Sequence, residues 1–111
     1  MTNNDCIFCK IANQQIPAPL LAETELAVAF KDISPRQPVH ILVVPKQHYR
    51  DVAELTEQNP EALLDVMRLG VKLAAEHSTG SFRFSFNTGE AAGQSVFHAH
   101  GHITSTTPKV G

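Results

Sequence analysis

Three histidines at alternate positions, His98, His100 and His102, are the residues of this sequence best placed to do chemistry together. Alternate side chains of an extended strand share a face, so the three rings stand in a row, within reach of one another or of one shared ligand. An imidazole nitrogen lone pair can bind a metal ion or attack an electrophile near neutral pH. The spacing does not choose between these, and a structural row on a strand is the third reading. Ala99 and Gly101 face the other way and are small, so that reverse face can be pressed closely against something else. Just upstream, Gly93, Gln94 and Ser95 offer backbone N–H groups, an amide and a hydroxyl, which are the donors an anionic oxygen requires.

A second chemical pair stands near the start. Cys6 and Cys9 are spaced CxxC. That is half of a tetrahedral zinc site, with histidines such as His48 as further candidates. A redox pair and two buried space-filling thiols are the alternatives. Asp32, at the end of an apolar run, has the two acceptor oxygens a ribose diol would use, although aspartate is also an ordinary turn residue. His40 opens an apolar run and is expected in the interior, where a hydrogen-bonded structural histidine is the usual case.

The bulk properties bound these readings. A length of 111 residues suits one domain, here 1–111, with a core that needs no staples. The charged fraction is 18 % and the net charge −2, with Lys and Arg scattered, which argues against nucleic-acid binding. No stretch has the length of a membrane span. The polar residues 1–5 precede no apolar run, so no signal peptide and a cytoplasmic location are expected.

The elements that must position these residues follow from periodicity. A short helix begins at Cys6 and is ended by Pro17 and Pro19. Short strands are predicted over Leu20–Glu23 and Leu26–Lys31, a proline-marked loop over Asp32–Val39, and a buried central strand over His40–Pro45. One helical turn fits Asp51–Glu57. Asn59 as cap and Pro60 in the first position start a longer helix that runs to about His77, with Leu63, Val66, Met67, Leu73 and Ala74 as its apolar stripe. Ser81–Asn87 alternates strictly, giving a strand with one aromatic face and Asn87 on the other. A loop of small residues leads to the histidine strand, and antiparallel pairing across that loop brings Asn87 near Ser95. The sum is an α+β domain, a five-stranded antiparallel sheet with one main helix and a short N-terminal helix.

These residues together resemble the histidine triad family, in its Hint branch. The signature is His98-Ala99-His100-Gly101-His102-Ile103, preceded by Gly93-Gln94-Ser95-Val96. Asp32-Ile33-Ser34-Pro35, Pro38-Val39-His40, Val44-Pro45-Lys46 with His48, and Asn87 fall in the family's order, from about Cys6 to Ile103. The resemblance implies a hydrolase of nucleoside 5'-monophosphate derivatives, adenosine phosphoramidates for example, with His100 as nucleophile and a nucleotidyl-histidine intermediate. It implies that His98 backs the nucleophile, that His102 and Ser95 stabilise phosphate charge, and that His40 stands behind the triad. It further implies Asp32 on the ribose, Ile33 at the base or sugar, and Asn87, Gly93, Gln94 and Ser95 on the phosphate side. Cys6, Cys9, His48 and His98 would hold a structural Zn2+. Partners implied are a purine nucleotide and a second copy of the chain, with the sheet continuous across the homodimer. A non-catalytic nucleotide-binding or scaffold protein, and a metal-dependent hydrolase with metal on all three histidines, are the alternatives. The tail from Thr104 to Gly111 departs from the family's Gly-Gly-Arg and Trp-Pro-Pro-Gly-like pattern, and the chain has no Trp.

Overall fold

The computed structural model describes residues 6–109. The expectations for residues 1–5 and for Val110 and Gly111 lie outside the described residues. Five strands, β1 (Leu20–Glu23), β2 (Ala27–Lys31), β3 (Val39–Pro45), β4 (Arg83–Phe86) and β5 (Gly101–Ser105), form one sheet in the order β1-β2-β3-β5-β4. Every neighbouring pair is antiparallel. Three helices accompany it: α1 (Ile7–Ala12), α2 (Val52–Gln58) and α3 (Pro60–His77). This is the α+β arrangement the periodicity predicts.

Local chemistry sets the helix boundaries. Asn59 accepts a hydrogen bond from the Ala62 N–H and Pro60 occupies the first turn, so α3 begins where its cap demands. Asp51 caps α2 by accepting from the Glu54 N–H at 2.9 Å, which extends the expected single turn to seven residues. That bond is the largest of the causes holding the Asp51 carboxyl below its usual range.

Strand register decides which side chains share a face. Phe30, Leu42, His102 and Ser85 lie opposite one another across β2, β3, β5 and β4, and His40, Thr104 and Arg83 form the next row on that face. The other face carries Ala29, Val43, Gly101 and Phe86 in one row and Ile41, Ile103 and Phe84 in another. α3 covers this second face with Val66, Leu69, Leu73 and Ala74, and the two layers share one apolar core. On the first face the short α1 packs Phe8 and Ala12 against Val28, Phe30, Leu42 and Val44. A helix of six residues cannot cover the whole face, and the remainder stays open.

The small residues between the histidines have a use. A Cβ on Gly101 would fall on the Phe84 ring and lie 2.9 Å from Phe86 Cζ. A Cβ on Gly70, in the middle of α3, would strike the same Phe84 ring and lie 3.1 Å from Ile103 Cδ1. Phe84 is therefore wedged between two glycines, one on the helix and one on the histidine strand. The helix gives up about 1 kcal/mol of propensity at Gly70 to admit the ring. Ala99 packs with Leu55 and Ala62 beneath α2 and α3. No helix among the described residues is long and apolar enough to cross a membrane.

Candidate active site

The ladder of β5 begins only at Gly101, so His98 and His100 precede it rather than lying within a strand that follows directly on Gly93. The Ala99 N–H instead donates to the Tyr49 carbonyl at 2.7 Å, tying the approach segment to the chain after β3. His100 and His102 keep neighbouring rings, with centroids 4.8 Å apart. The His98 ring leans away toward His48, 5.0 Å between centroids, so the three rings do not converge on one point.

Each ring's proton is fixed by what it faces. A carbonyl can only accept, so His100 Nδ1–H donates to the His98 carbonyl at 2.8 Å, and in the neutral ring Nε2 carries the lone pair. Burial lowers the pKa of His100, against the opposing influence of that bond, so the ring is neutral at pH 7. Nε2 makes no hydrogen bond to the described residues. His40 Nδ1 accepts from the Arg36 backbone N–H at 3.2 Å, so its proton sits on Nε2. That Nε2–H lies 3.1 Å from His102 Nδ1 and 3.3 Å from Asp32 Oδ2. Donation to His102 Nδ1 leaves His102 with its proton on Nε2, the outward nitrogen. Burial, with His100 and His40 adding to it, pushes His102 down to about 4.

These rings lie where two cavities meet. One, of about 640 Å³, is apolar and lined by Phe8, Ile11, Phe30, Leu42 and Val96 among others. The other, of about 430 Å³, is polar and lined by Arg36, Arg83, Ser85, Asn87, Gly93 and Thr104 among others. Asp32, Ser95, His100 and His102 border both. Ile33, at 95 % exposure, stands at the rim of the apolar cavity. Asn87 and Ser95 both line the polar cavity, although no strand ladder reaches Ser95, and Asn87 Nδ2 would be 3.6 Å from a Cβ on Gly93. Gly93 itself has φ +99°, a left-handed conformation that suits glycine.

Gln94 is a correction. Its buried side chain accepts from the Gly89 N–H at 2.8 Å and donates to the Arg50 carbonyl at 2.7 Å and the Val96 carbonyl at 3.1 Å. Both ends of the amide are committed, so Gln94 braces the loop instead of presenting its side chain to phosphate. No motif in the sequence marks Arg36, Arg83, Ser85 or Thr104 as site residues. Strict alternation in 81–87 did carry the signal for two of them, because Arg83 and Ser85 share a face with Asn87.

The cysteines sit beside the first histidine. Cys6 Sγ and Cys9 Sγ are each 3.3 Å from His98 Nδ1, and Cys9 Sγ is 3.3 Å from His48 Nδ1. Four donor atoms, from Cys6, Cys9, His48 and His98, lie within 4.8 Å of one another. Tetrahedral zinc with ordinary bond lengths gives sulfur–nitrogen edges of about 3.5 Å, so this donor set fits the ion. His98 Nε2–H donates to the Pro45 carbonyl at 2.9 Å, which leaves Nδ1, on the cysteine side, as the lone-pair nitrogen. Burial pushes His98 down to about 4 and lowers His48, so both rings are neutral as ligands must be. Asp32, His40 and His102 also bring ligand atoms together, a proximity their hydrogen-bond chain accounts for.

Comparison with known proteins places this arrangement. The family model described as scavenger mRNA decapping enzyme C-term binding matches residues 5–110. An uncharacterized HIT-like protein of Synechococcus elongatus is 44 % identical over 103 residues, covering 91 % of this chain and 90 % of that protein. The adenosine 5'-monophosphoramidase hnt1 of Schizosaccharomyces pombe is 40 % identical over 98 residues, covering 88 % of this chain and 71 % of that one. Among solved structures, a HIT family hydrolase from Clostridium thermocellum superposes with a TM-score of 0.86 at 39 % identity, covering 93 % of this chain and 91 % of the other. A histidine triad protein from Clostridium difficile gives 0.87 at 36 %, covering 100 % and 96 %. With the motif, the sheet order and these relatives in agreement, the chain belongs to the histidine triad family.

Proposed function

We propose that this chain is a nucleotidyl hydrolase that cleaves nucleoside 5'-monophosphate derivatives of the adenosine phosphoramidate kind, with His100 as nucleophile. The observation that carries this is His100 Nε2, a neutral lone pair at the junction of an apolar and a polar cavity, oriented by the His98 carbonyl. The apolar cavity suits a purine nucleoside, with Ile33 at the base or sugar and Asp32 offering carboxylate lone pairs to the ribose. Asp32 Oδ1 accepts from the Ser34 N–H at 2.9 Å, which orients the carboxylate.

The reaction runs in two displacements. Nε2 of His100 bonds to the α-phosphorus, and the P–N bond breaks with its electron pair going to nitrogen. That nitrogen takes a proton from water. The non-bridging oxygens accept from His102 Nε2–H, the Asn87 amide and Ser95. Water then adds to phosphorus, its proton is released, the electron pair returns to Nε2, and AMP leaves. His40 serves as a positioning residue, because its fixed tautomer makes His102 a donor toward phosphate.

A zinc ion on Cys6, Cys9, His48 and His98 would pin the N-terminal segment to the triad and supply structure rather than reactivity. The covalent scheme is favoured over metal on all three histidines because the His98 lone pair faces the cysteines. A homodimer is supported by two features: β4 is an edge strand, and Leu64 and Val71 on α3 are each about half exposed.

Mass spectrometry of protein quenched during turnover of an adenosine phosphoramidate tests the scheme. The expected result is a nucleotidyl adduct on His100. His100→Asn should lower the rate by a factor of about 10⁴ while AMP still binds. Full activity in that variant overturns the reading, and AMP binding with no adduct favours a non-catalytic binder. Metal analysis should find one zinc per chain in the wild type and none in Cys9→Ser.

A further inference from the structure

The polar cavity carries more positive charge than a phosphate diester requires. Arg36 and Arg83 both line it, and neither guanidinium has an ion pair or hydrogen bond among the described residues. The one carboxylate at its border among the described residues, Asp32, already accepts from Ser34 and faces His40. Register locates the surplus. Asn87 flanks the His100 end of the face, Ser85 lies opposite His102, and Arg83 lies opposite Thr104 in the row that includes His40. Arg83 is thus one row beyond His102, about 7 Å further along the strand. Arg36 reaches the same row from the other side, because its backbone N–H is bonded to His40.

We propose that this row is a leaving-group subsite for an anion, so that the preferred substrates are nucleotides whose leaving group carries a carboxylate or a phosphate. The inference rests on the hydrolase reading for its chemistry. With the nucleoside in the apolar cavity and phosphorus beside His100, the group that departs has the polar cavity as its remaining space. Guanidinium forks match carboxylate and phosphate oxygens. A shallower cavity of about 290 Å³ continues past Gln37, Arg83 and Thr104, so a leaving group longer than ammonia has room.

The test uses three adenosine 5'-phosphoramidates whose leaving amines are 4-aminobutanoate, 4-aminobutanamide and 3-aminopropyl phosphate. In the wild type, kcat/KM for the carboxylate should exceed that for the amide by about tenfold, the size expected of two exposed charge-assisted contacts. In the Arg36→Gln, Arg83→Gln double variant the ratio should fall to near one, and Arg83→Glu should reverse it. The ratio is internal to each protein, so a general loss of rate does not imitate the effect. A larger gain from phosphate than from carboxylate assigns nucleotide-like leaving groups, and the opposite order assigns amino-acid-like ones. A wild-type ratio of one or less, or a ratio that survives in the double variant, overturns the subsite. Calorimetric binding of the same compounds to His100→Asn reads the subsite without turnover. An anion preference there with no hydrolysis by the wild type would keep the subsite and sink the hydrolase reading.

Discussion

The two faces of the sheet are built from the same strands and meet opposite fates. One face is sealed by the 18 residues of α3, and Ile41, Val43, Val66 and Ile103 are almost wholly buried there. The other is covered by only six residues of α1, and what α1 leaves open is the paired cavity with His100 and His102. Period-2 alternation sends Gly101 and Ile103 to the sealed side and His102 and Thr104 to the open side of a single strand. The reactive face therefore takes its rigidity from residues that never touch a ligand. β5 is an interior strand, paired with β3 on one edge and β4 on the other, so His102 stands on a strand held from both sides.

Truncation on each side would sharpen that contrast. Leu73→Ala on the sealed face should cost about 2–5 kcal/mol in denaturant melts. Leu42→Ala on the open face should cost about 1–2 kcal/mol, because it widens a cavity already open to water, and should raise KM for nucleotide. Equal losses from the two would erase the distinction between the faces. Gly101→Ala attacks the boundary, since its added methyl meets Phe84 and Phe86. It should destabilise by about 1–3 kcal/mol and also slow turnover, because β5 must shift beneath the histidines. A stable, fully active Gly101→Ala protein would show that the faces are not mechanically joined.

pH tests the open face alone. His102 titrates near 6.5 in the unfolded chain and at about 4 in the folded one, and His100 is lowered in the same direction. Between those values the unfolded chain binds more protons, so stability is full above pH 6.5 and declines as pH falls toward 4. The melting temperature followed across that range should show a shallower decline in His102→Gln. An identical slope in wild type and variant would place the proton uptake elsewhere.

Much of this was legible beforehand, and the exceptions share a cause. The Asn59 cap and Pro60 set the start of α3 because they act within one turn, and the apolar stripe carries the helix on from there. Strict alternation set β4, although its ladder runs over Arg83–Phe86 rather than Ser81–Asn87. The histidine segment reads as one strand directly after Gly93, yet Ala99 bonds to Tyr49, a partner distant in sequence and invisible to periodicity. The small-residue loop conceals a short 3-10 turn over Glu90–Ala92. Gln94 has the right type and position for a phosphate contact, and only the folded loop shows that its amide is already committed. Arg36 and Arg83 sit 47 positions apart by number, and they meet only because register puts Arg83 in the His40 row while the Arg36 N–H is bonded to His40 Nδ1.

Phe84, held between Gly70 and Gly101, makes three distant positions into one shared volume. An engineer who enlarges either glycine must shrink Phe84, so their single-substitution costs will not add. A smaller residue at 84 should rescue alanine at 101, and a combinatorial library that varies the three together will find solutions closed to stepwise substitution.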